Sequence, residues 1–174
     1  MAESWHEQTA RVDEAGLAAF ARRIAERHPL REMTFLCIGT DRSSGDCLGP
    51  WAGTLLTEAG LPRVIGTLER PCDAEKLPDV IRALPQEGTV LAIDACLGRP
   101  ESVGLYLAAA RPLVPARSIG KNLPPVGAYS IAGIVNAAGP KPYWTLQTTS
   151  LFRVMNMARV IADAIGRAWQ AEER

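Results

Sequence analysis

Two aspartates stand where the chain could carry acid–base chemistry. Asp46 closes the polar segment at residues 37–46, CIGTDRSSGD, directly before an apolar helical pattern. Asp94 follows the apolar run VLAI within residues 89–95, TVLAIDA. An ionised carboxylate in an apolar strand costs free energy unless it is paired or used. Two carboxyls in one crevice tend to share a proton, so that one can act as a base on water while the other polarises a peptide carbonyl.

The sequence leaves other interpretations of these acids open. Asp46 precedes a predicted helix, where an aspartate commonly accepts hydrogen bonds from backbone N–H groups of the first turn. The two acids can alternatively hold a divalent metal together with water, because carboxylates suit magnesium and manganese. A non-catalytic binding crevice can also contain both acids.

The cysteines and histidines form no motif for metal binding or nucleophilic catalysis. None of the four cysteines is part of a CxxC pair, so neither a disulfide framework nor a structural zinc site is expected. Both histidines, His6 and His28, precede the first predicted buried strand. A thiol nucleophile at Cys47 or Cys96 would lack a histidine to activate it, and we interpret both cysteines as packing residues. The turn GTDRSSGD matches neither of the common phosphate-binding fingerprints.

The elements that must position the aspartates follow from the apolar periods. Strands are predicted at 33–39, 63–69, 89–95, 103–109 and 128–136, and helices at 14–28, 47–60, 73–84 and 149–170. This order predicts an α/β fold, a three-layer sandwich with a mostly parallel twisted sheet between helices. In such sheets ligands bind beyond the carboxyl ends of the strands. Asp46 and Asp94 are therefore expected to face one crevice, provided that their strands are neighbours.

Composition narrows the class of protein. The 174 residues suit a single domain, predicted over 1–174 with an N-terminal helical extension over 1–30. Nineteen basic residues balance nineteen acidic ones, so charge indicates neither a nucleic-acid nor a membrane partner. No apolar stretch approaches the ~20 residues needed to cross a bilayer, and the N-terminal segment is polar and acidic. A cytoplasmic location is expected.

Four segments together resemble the YyaC family of sporulation proteins, a spore-protease-like group of spore-forming bacteria. These segments lie between about residues 33 and 166 and read CIGTDRSSGDCLGP, AIDACLGR, NLPPVGAYSIAGIVN and LQTTSLFRVMNMARVIA. More distantly, the chain is similar to germination protease and to the hydrogenase maturation endopeptidases. The resemblance implies their phosphorylase/hydrolase-like α/β fold.

The resemblance also implies roles for individual residues. The acids of the D-x-L-G-P turn and of the strand end I-D-A are the proposed catalytic pair of germination protease, and they correspond to Asp46 and Asp94. The loop around Lys121 and Asn122 is similar to a loop of that protease, and these residues are predicted to stabilise an oxyanion. With them, three residues of the first loop are predicted to contact the substrate: Asp41, Arg42 and Gly45.

One departure from the maturation endopeptidases changes the expectation about metals. Those enzymes bind nickel through acids in these two loops and a later histidine, and no histidine follows His28 here. We therefore expect neither a metal nor a cofactor, and a protein or peptide as the substrate; a homo-oligomer is compatible with the sequence. The predicted function is a sporulation-associated peptidase that uses the aspartate pair. The alternatives are a divalent-metal-dependent hydrolase using the same acids and a non-catalytic sporulation factor that binds a partner.

Overall fold

The computed structural model describes residues 9–115 and 123–170. Its strands are β1 (Ala10–Val12), β2 (Met33–Cys37), β3 (Val64–Ile65), β4 (Thr89–Gly98), β5 (Tyr106–Ala109) and β6 (Tyr129–Ala137). Its helices are α1 (Glu14–Ala25), α2 (Leu48–Glu58), α3 (Leu77–Ala83), α4 (Pro142–Gln147) and α5 (Leu151–Gln170).

The six strands form one sheet in the order β1-β5-β6-β4-β2-β3. Strand β2 is parallel to both β3 and β4, and β4 is parallel to β6. Strand β5 runs antiparallel to β6, and β1 antiparallel to β5 at the edge. The prediction of an α/β fold with a mostly parallel sheet is therefore confirmed.

Alternate residues of the central strands enter two different apolar layers, as the pleat of a strand requires. On β2, Phe35 and Cys37 pack into the larger layer with residues of α1, α2 and α5. Leu36 packs into the smaller layer with Ala92 of β4 and Leu77 of α3. Since both faces are covered, the central strands are continuous apolar runs, and the sheet is the middle of three layers.

The predicted helices and strands are present, with two additions. Strand β1 and helix α4 were not predicted; they are three and six residues long, too short to show a period. Within the predicted extension over 1–30, α1 is present and β1 joins the sheet ahead of it. Among the described residues, no helix is long and apolar enough to cross a membrane.

Candidate active site

The strand order reverses beside β2, which creates a crevice at the carboxyl edge of the sheet. After β2 the chain passes through α2 to β3 on one side, and it returns through α3 to β4 on the other. Adjacent strands whose connections leave in opposite directions open such a crevice, where ligands bind in α/β sheets. The loop that follows β2 carries Asp46, and Asp94 lies in the second half of β4 itself.

Asp46 is positioned by a tightly packed loop that leaves β2. The backbone N–H of Thr40 donates to the carbonyl oxygen of Asp46 at 3.2 Å. Gly39 has φ +147°, and a Cβ atom there would overlap the same carbonyl oxygen. Only glycine suits this close approach, which holds Asp46 over the end of β2. The N-cap of α2 is Cys47, without a side-chain capping bond, so the interpretation of Asp46 as a helix cap is wrong.

Asp94 is positioned by the central strand β4. It lies in register with Ala132 of β6, and Ala95 N–H donates to its Oδ1 at 2.8 Å. Its side chain is half-buried and borders the cavity. Burial raises the pKa of the Asp94 carboxyl well above its ordinary value, and the charge of Asp46 raises it further. The two aspartates therefore interact electrostatically, as expected of neighbours in one crevice.

The pKa of Asp46 is also raised, again chiefly by burial. The buried Ser43 hydroxyl lies close enough to lower this pKa in part. Its Oγ makes no hydrogen bond of regular geometry with the described residues. Two neighbouring carboxyls with raised pKa values are the condition under which a pair can share one proton.

A cavity of about 950 Å³ opens above both aspartates. Its lining comes from the loops after β2 and β3, from the second half of β4, from single residues of β5 and of the segment after it, and from α4 with the residues just before it. The acidic and basic side chains in this lining are Arg42, Asp46, Asp73, Glu75 and Asp94. Within the described ranges, none of these five forms an ion pair.

Helix α4 is tied to the loop that carries Asp46. The Ser44 hydroxyl reaches three carbonyl oxygens at the end of α4 and beyond, of which Thr149 O is the nearest at 2.6 Å. Gly45 N–H donates to Leu146 O at 2.8 Å. Because α4 also lines the cavity, these bonds fix one wall of the cavity relative to Asp46.

The structure places the predicted substrate-binding residues differently. Arg42 lines the cavity, whereas Asp41 is exposed and outside its lining. Gly45 is buried against Leu146, so its place in the fold is structural packing. Lys121 and Asn122 lie outside the described residues, and their predicted role stays a prediction.

The cavity residues that were not predicted include two acids and an aromatic residue. Asp73 and Glu75 were assigned to the start of a helix at 73–84, but α3 begins at Leu77 and both acids lie in the loop before it. The signal in the sequence was a proline-containing segment, PCDAEK, after a predicted strand. Tyr143, on the unpredicted α4, is 59% exposed and also lines the cavity.

The thiols near the site are unsuited to nucleophilic chemistry. Burial raises the pKa of Cys47, and the charge of Asp46 adds to this effect. The pKa of Cys96 rises to about 12, again mainly through burial. His28 bonds to Thr89 and Tyr129, the first residues of β4 and β6, and so lies at the opposite edge of the sheet. The interpretation of both cysteines as packing residues agrees with this environment.

A metal cluster is not preformed among the described residues. In the ranges 9–115 and 123–170, no three histidine, cysteine or acidic side chains converge in a group that could hold an ion. Asp46 and Asp94 are the candidate ligands that the alternative of a metal-dependent hydrolase would use.

Comparison with known proteins agrees with the fold. A solved structure of a [NiFe] hydrogenase maturation protease, HycI from Thermococcus kodakarensis KOD1, matches with a TM-score of 0.58. The match covers 86% of this chain and 97% of that one, at 13% sequence identity. At this identity the likeness establishes the shared fold.

Comparison of sequences establishes the family. The family model described as "Protein of unknown function (DUF1256)" matches residues 8–164. The Bacillus subtilis (strain 168) protein YyaC is 43% identical over 149 residues, which are 83% of this chain and 73% of that protein. The resemblance inferred from the four sequence segments is thereby confirmed, and the chain belongs to the DUF1256 family, together with YyaC.

Proposed function

We propose that this chain is a peptidase that hydrolyses a peptide bond in a specific protein substrate through Asp46 and Asp94. The observation that carries the proposal is the pair itself: two carboxyls with raised pKa values border one open cavity. Titratable groups perturbed in this way cluster at active sites. The fold shared with a hydrogenase maturation protease supports peptide hydrolysis as the reaction class.

In the proposed reaction, Asp94 begins protonated and Asp46 ionised, because the pKa of Asp94 is raised more strongly. Asp46 takes a proton from a water molecule, whose oxygen attacks the peptide carbonyl carbon. Asp94 gives its proton to the carbonyl oxygen, which yields a neutral tetrahedral diol. Fixed carboxyls suit this step because the cavity orients both of them before the reaction begins.

The diol then collapses with the same two groups in exchanged roles. Asp46, now protonated, donates its proton to the leaving nitrogen while the C–N bond breaks. Asp94 accepts the proton of one diol hydroxyl as the carbonyl reforms. The sum of both steps adds one water across the peptide bond and restores the initial protonation of the pair. Lys121 and Asn122 are proposed to stabilise the oxyanion character of the carbonyl during the first step.

A protein substrate fits the surroundings of the cavity. Large apolar side chains are exposed on α4 and on the first turn of α5: Tyr143 and Trp144 at 59% and 62%, Leu151 and Phe152 at 52% and 75%. Exposed apolar groups beside a cavity are typical of surfaces that bind other proteins. We propose that Arg42 and the exposed Asp41 contact the backbone or polar groups of the same substrate, within a sporulating cell.

The test is incubation of the purified protein with a spore-protein mixture, followed by mass spectrometry of newly formed termini. Asp46→Asn and Asp94→Asn should each remove nearly all cleavage, and the double variant should be little worse because the pair acts as a unit. Asp163→Asn, an exposed position on α5, is the matched control that retains cleavage.

Two other outcomes would replace the proposal. Cleavage that is lost in a chelator and restored by magnesium or manganese would favour the metal-dependent hydrolase. The absence of new termini with the parent protein would favour a binding factor without catalysis.

A further inference from the structure

The acidic side chains that line the cavity include two beyond the proposed catalytic pair. Asp73 and Glu75 come from the loop between β3 and α3, whereas Asp46 comes from the loop after β2 and Asp94 from strand β4 itself. Two loops and strand β4 therefore bring acidic side chains to one cavity, where Arg42 is the one basic side chain that the described residues contribute to the lining. Charges of one sign that line a concave site attract ligands of the opposite sign.

Asp73 is held in place by the backbone around it. Its Oδ1 accepts hydrogen bonds from the N–H groups of Glu75 and Lys76, at 3.1 and 3.0 Å. The segment is joined to the site by Gly39 N–H, which donates to Cys72 O at 3.0 Å, and by the parallel bridge between Ile38 and Cys72. A carboxylate fixed in this way loses little conformational freedom when it binds a ligand.

A second feature of the lining also points to a ligand. Ser43 is 6% exposed, and its Oγ makes no hydrogen bond of regular geometry among the described residues. Buried hydroxyls in native proteins are nearly always hydrogen-bonded. The Ser43 hydroxyl lies near the Asp46 carboxyl, and its remaining hydrogen-bonding capacity is available to a ligand in the cavity. A polar group of a bound peptide would form a hydrogen bond with the Ser43 hydroxyl. A side chain of the same peptide would then lie close to the acidic residues of the cavity.

We infer that the cavity selects a peptide segment with a lysine or arginine side chain, and that Asp73 and Glu75 are the residues that determine this specificity. The inference deepens the proposed function and rests on it. Asp73 and Glu75 lie outside the proposed reacting pair, so their carboxylates are available to pair with a cation throughout the reaction. An ion pair that is partly shielded from water is stronger than one on an open surface.

Binding is tested separately from cleavage. Two fluorescent libraries of short random peptides, blocked at both ends, differ in one fixed central residue, either lysine or norleucine. Affinity is measured by anisotropy on Asp46→Asn, so that cleavage does not consume the peptides. The lysine library should bind roughly fivefold more tightly, and this preference should weaken as salt concentration rises. The added double substitution Asp73→Asn/Glu75→Gln should abolish the preference.

The control substitutes two exposed acids that do not line the cavity, Glu87→Gln/Asp163→Asn, and should leave the preference intact. Asparagine at position 73 can still accept the two backbone hydrogen bonds, and the single variant Glu75→Gln changes only an exposed side chain. Equal affinity for the two libraries would overturn the inference. Loss of the preference in the control as well would also overturn it, since a general charge effect would then explain the binding.

Cleavage gives a second, independent readout. In a proteome-derived peptide library, new termini produced by the parent protein should be enriched in lysine or arginine nearby, and Asp73→Asn/Glu75→Gln should remove the enrichment. Cleavage without any such enrichment overturns the inference while the proposed function stands. A lysine preference in binding, with no cleavage by the parent, overturns the proposed function and supports a cation-selective binding cavity.

Discussion

Replacing Asp94 with asparagine is expected to abolish activity and to stabilise the fold at neutral pH. Burial is the main cause that raises the pKa of this carboxyl well above the ordinary aspartate value of 3.8, and the charge of Asp46 adds to it. Asparagine has nearly the same shape and no charge. Its Oδ1 can still accept the hydrogen bond from Ala95 N–H, which is 2.8 Å long with aspartate. The substitution therefore removes the titratable carboxyl at position 94 and preserves the contacts of the side chain with its neighbours.

The size and sign of the effect follow from proton linkage. The unfolded chain releases the Asp94 proton near the ordinary aspartate pKa, whereas the folded protein retains it to higher pH. Between these two pKa values the folded state binds more protons, so its free energy of unfolding falls as pH rises. One proton corresponds to about 1.4 kcal/mol per pH unit. The margin between Asp94→Asn and the parent is therefore expected to grow by up to about 1.4 kcal/mol per pH unit between the two pKa values, and to become constant above the pKa of the folded state.

Urea unfolding at a series of pH values, from the ordinary aspartate pKa to neutrality, measures this effect. The free energy of unfolding of Asp94→Asn should exceed that of the parent by a margin that grows with pH. The control Asp163→Asn, on an exposed face of α5, should show no growing margin. A variant that is less stable than the parent at neutral pH, or a margin that does not change with pH, would refute the reasoning about burial at this site.

Three further variants test the residues that surround Asp46 and hold its loop in place. Cys47→Ser should retain most activity, because the Cys47 thiol has a raised pKa and only donates a hydrogen bond to Ser44 O. Complete loss of activity in this variant would favour a thiol mechanism. Gly39→Ala should lose about 2 kcal/mol or more in thermal unfolding, and its activity, since the added Cβ would displace Asp46. Ser44→Ala should cost about 1 kcal/mol and speed hydrogen exchange in α4, because the bond to Thr149 O is lost; unchanged exchange would contradict this support.

The centre of the fold was predictable because its strands are buried on both faces. Strands β2 and β4 read as continuous apolar runs, and their parallel pairing follows from the helices between them. In the predicted helix at 149–170, Phe152 shares the apolar period with Ile161 and Ile165, yet Phe152 is 75% exposed, while both isoleucines are fully buried. A period identifies the apolar face of a helix, but it does not show where along the helix the neighbouring layer ends.

The candidate site was predictable where a charged residue contradicts its surroundings. Asp94 stands in an apolar strand, and such a conflict between sequence and environment often marks a functional position. Asp73 and Glu75 gave no such signal, because acids in a polar loop are ordinary. Their place in the cavity depends on the bridge between Ile38 and Cys72, a long-range pairing that no local pattern encodes.

Asp46 had two interpretations in the sequence, and the fold separates them. An aspartate that caps a helix stabilises it by about 1 kcal/mol, but here Cys47 is the N-cap and no side chain caps α2. Burial instead raises the pKa of Asp46, so its ionised form destabilises the folded state. Asp94 is destabilising for the same reason, and neither carboxyl has an ion-pair partner among the described residues. Two acids that weaken the fold while they face one cavity are better explained by chemistry at that cavity than by structure.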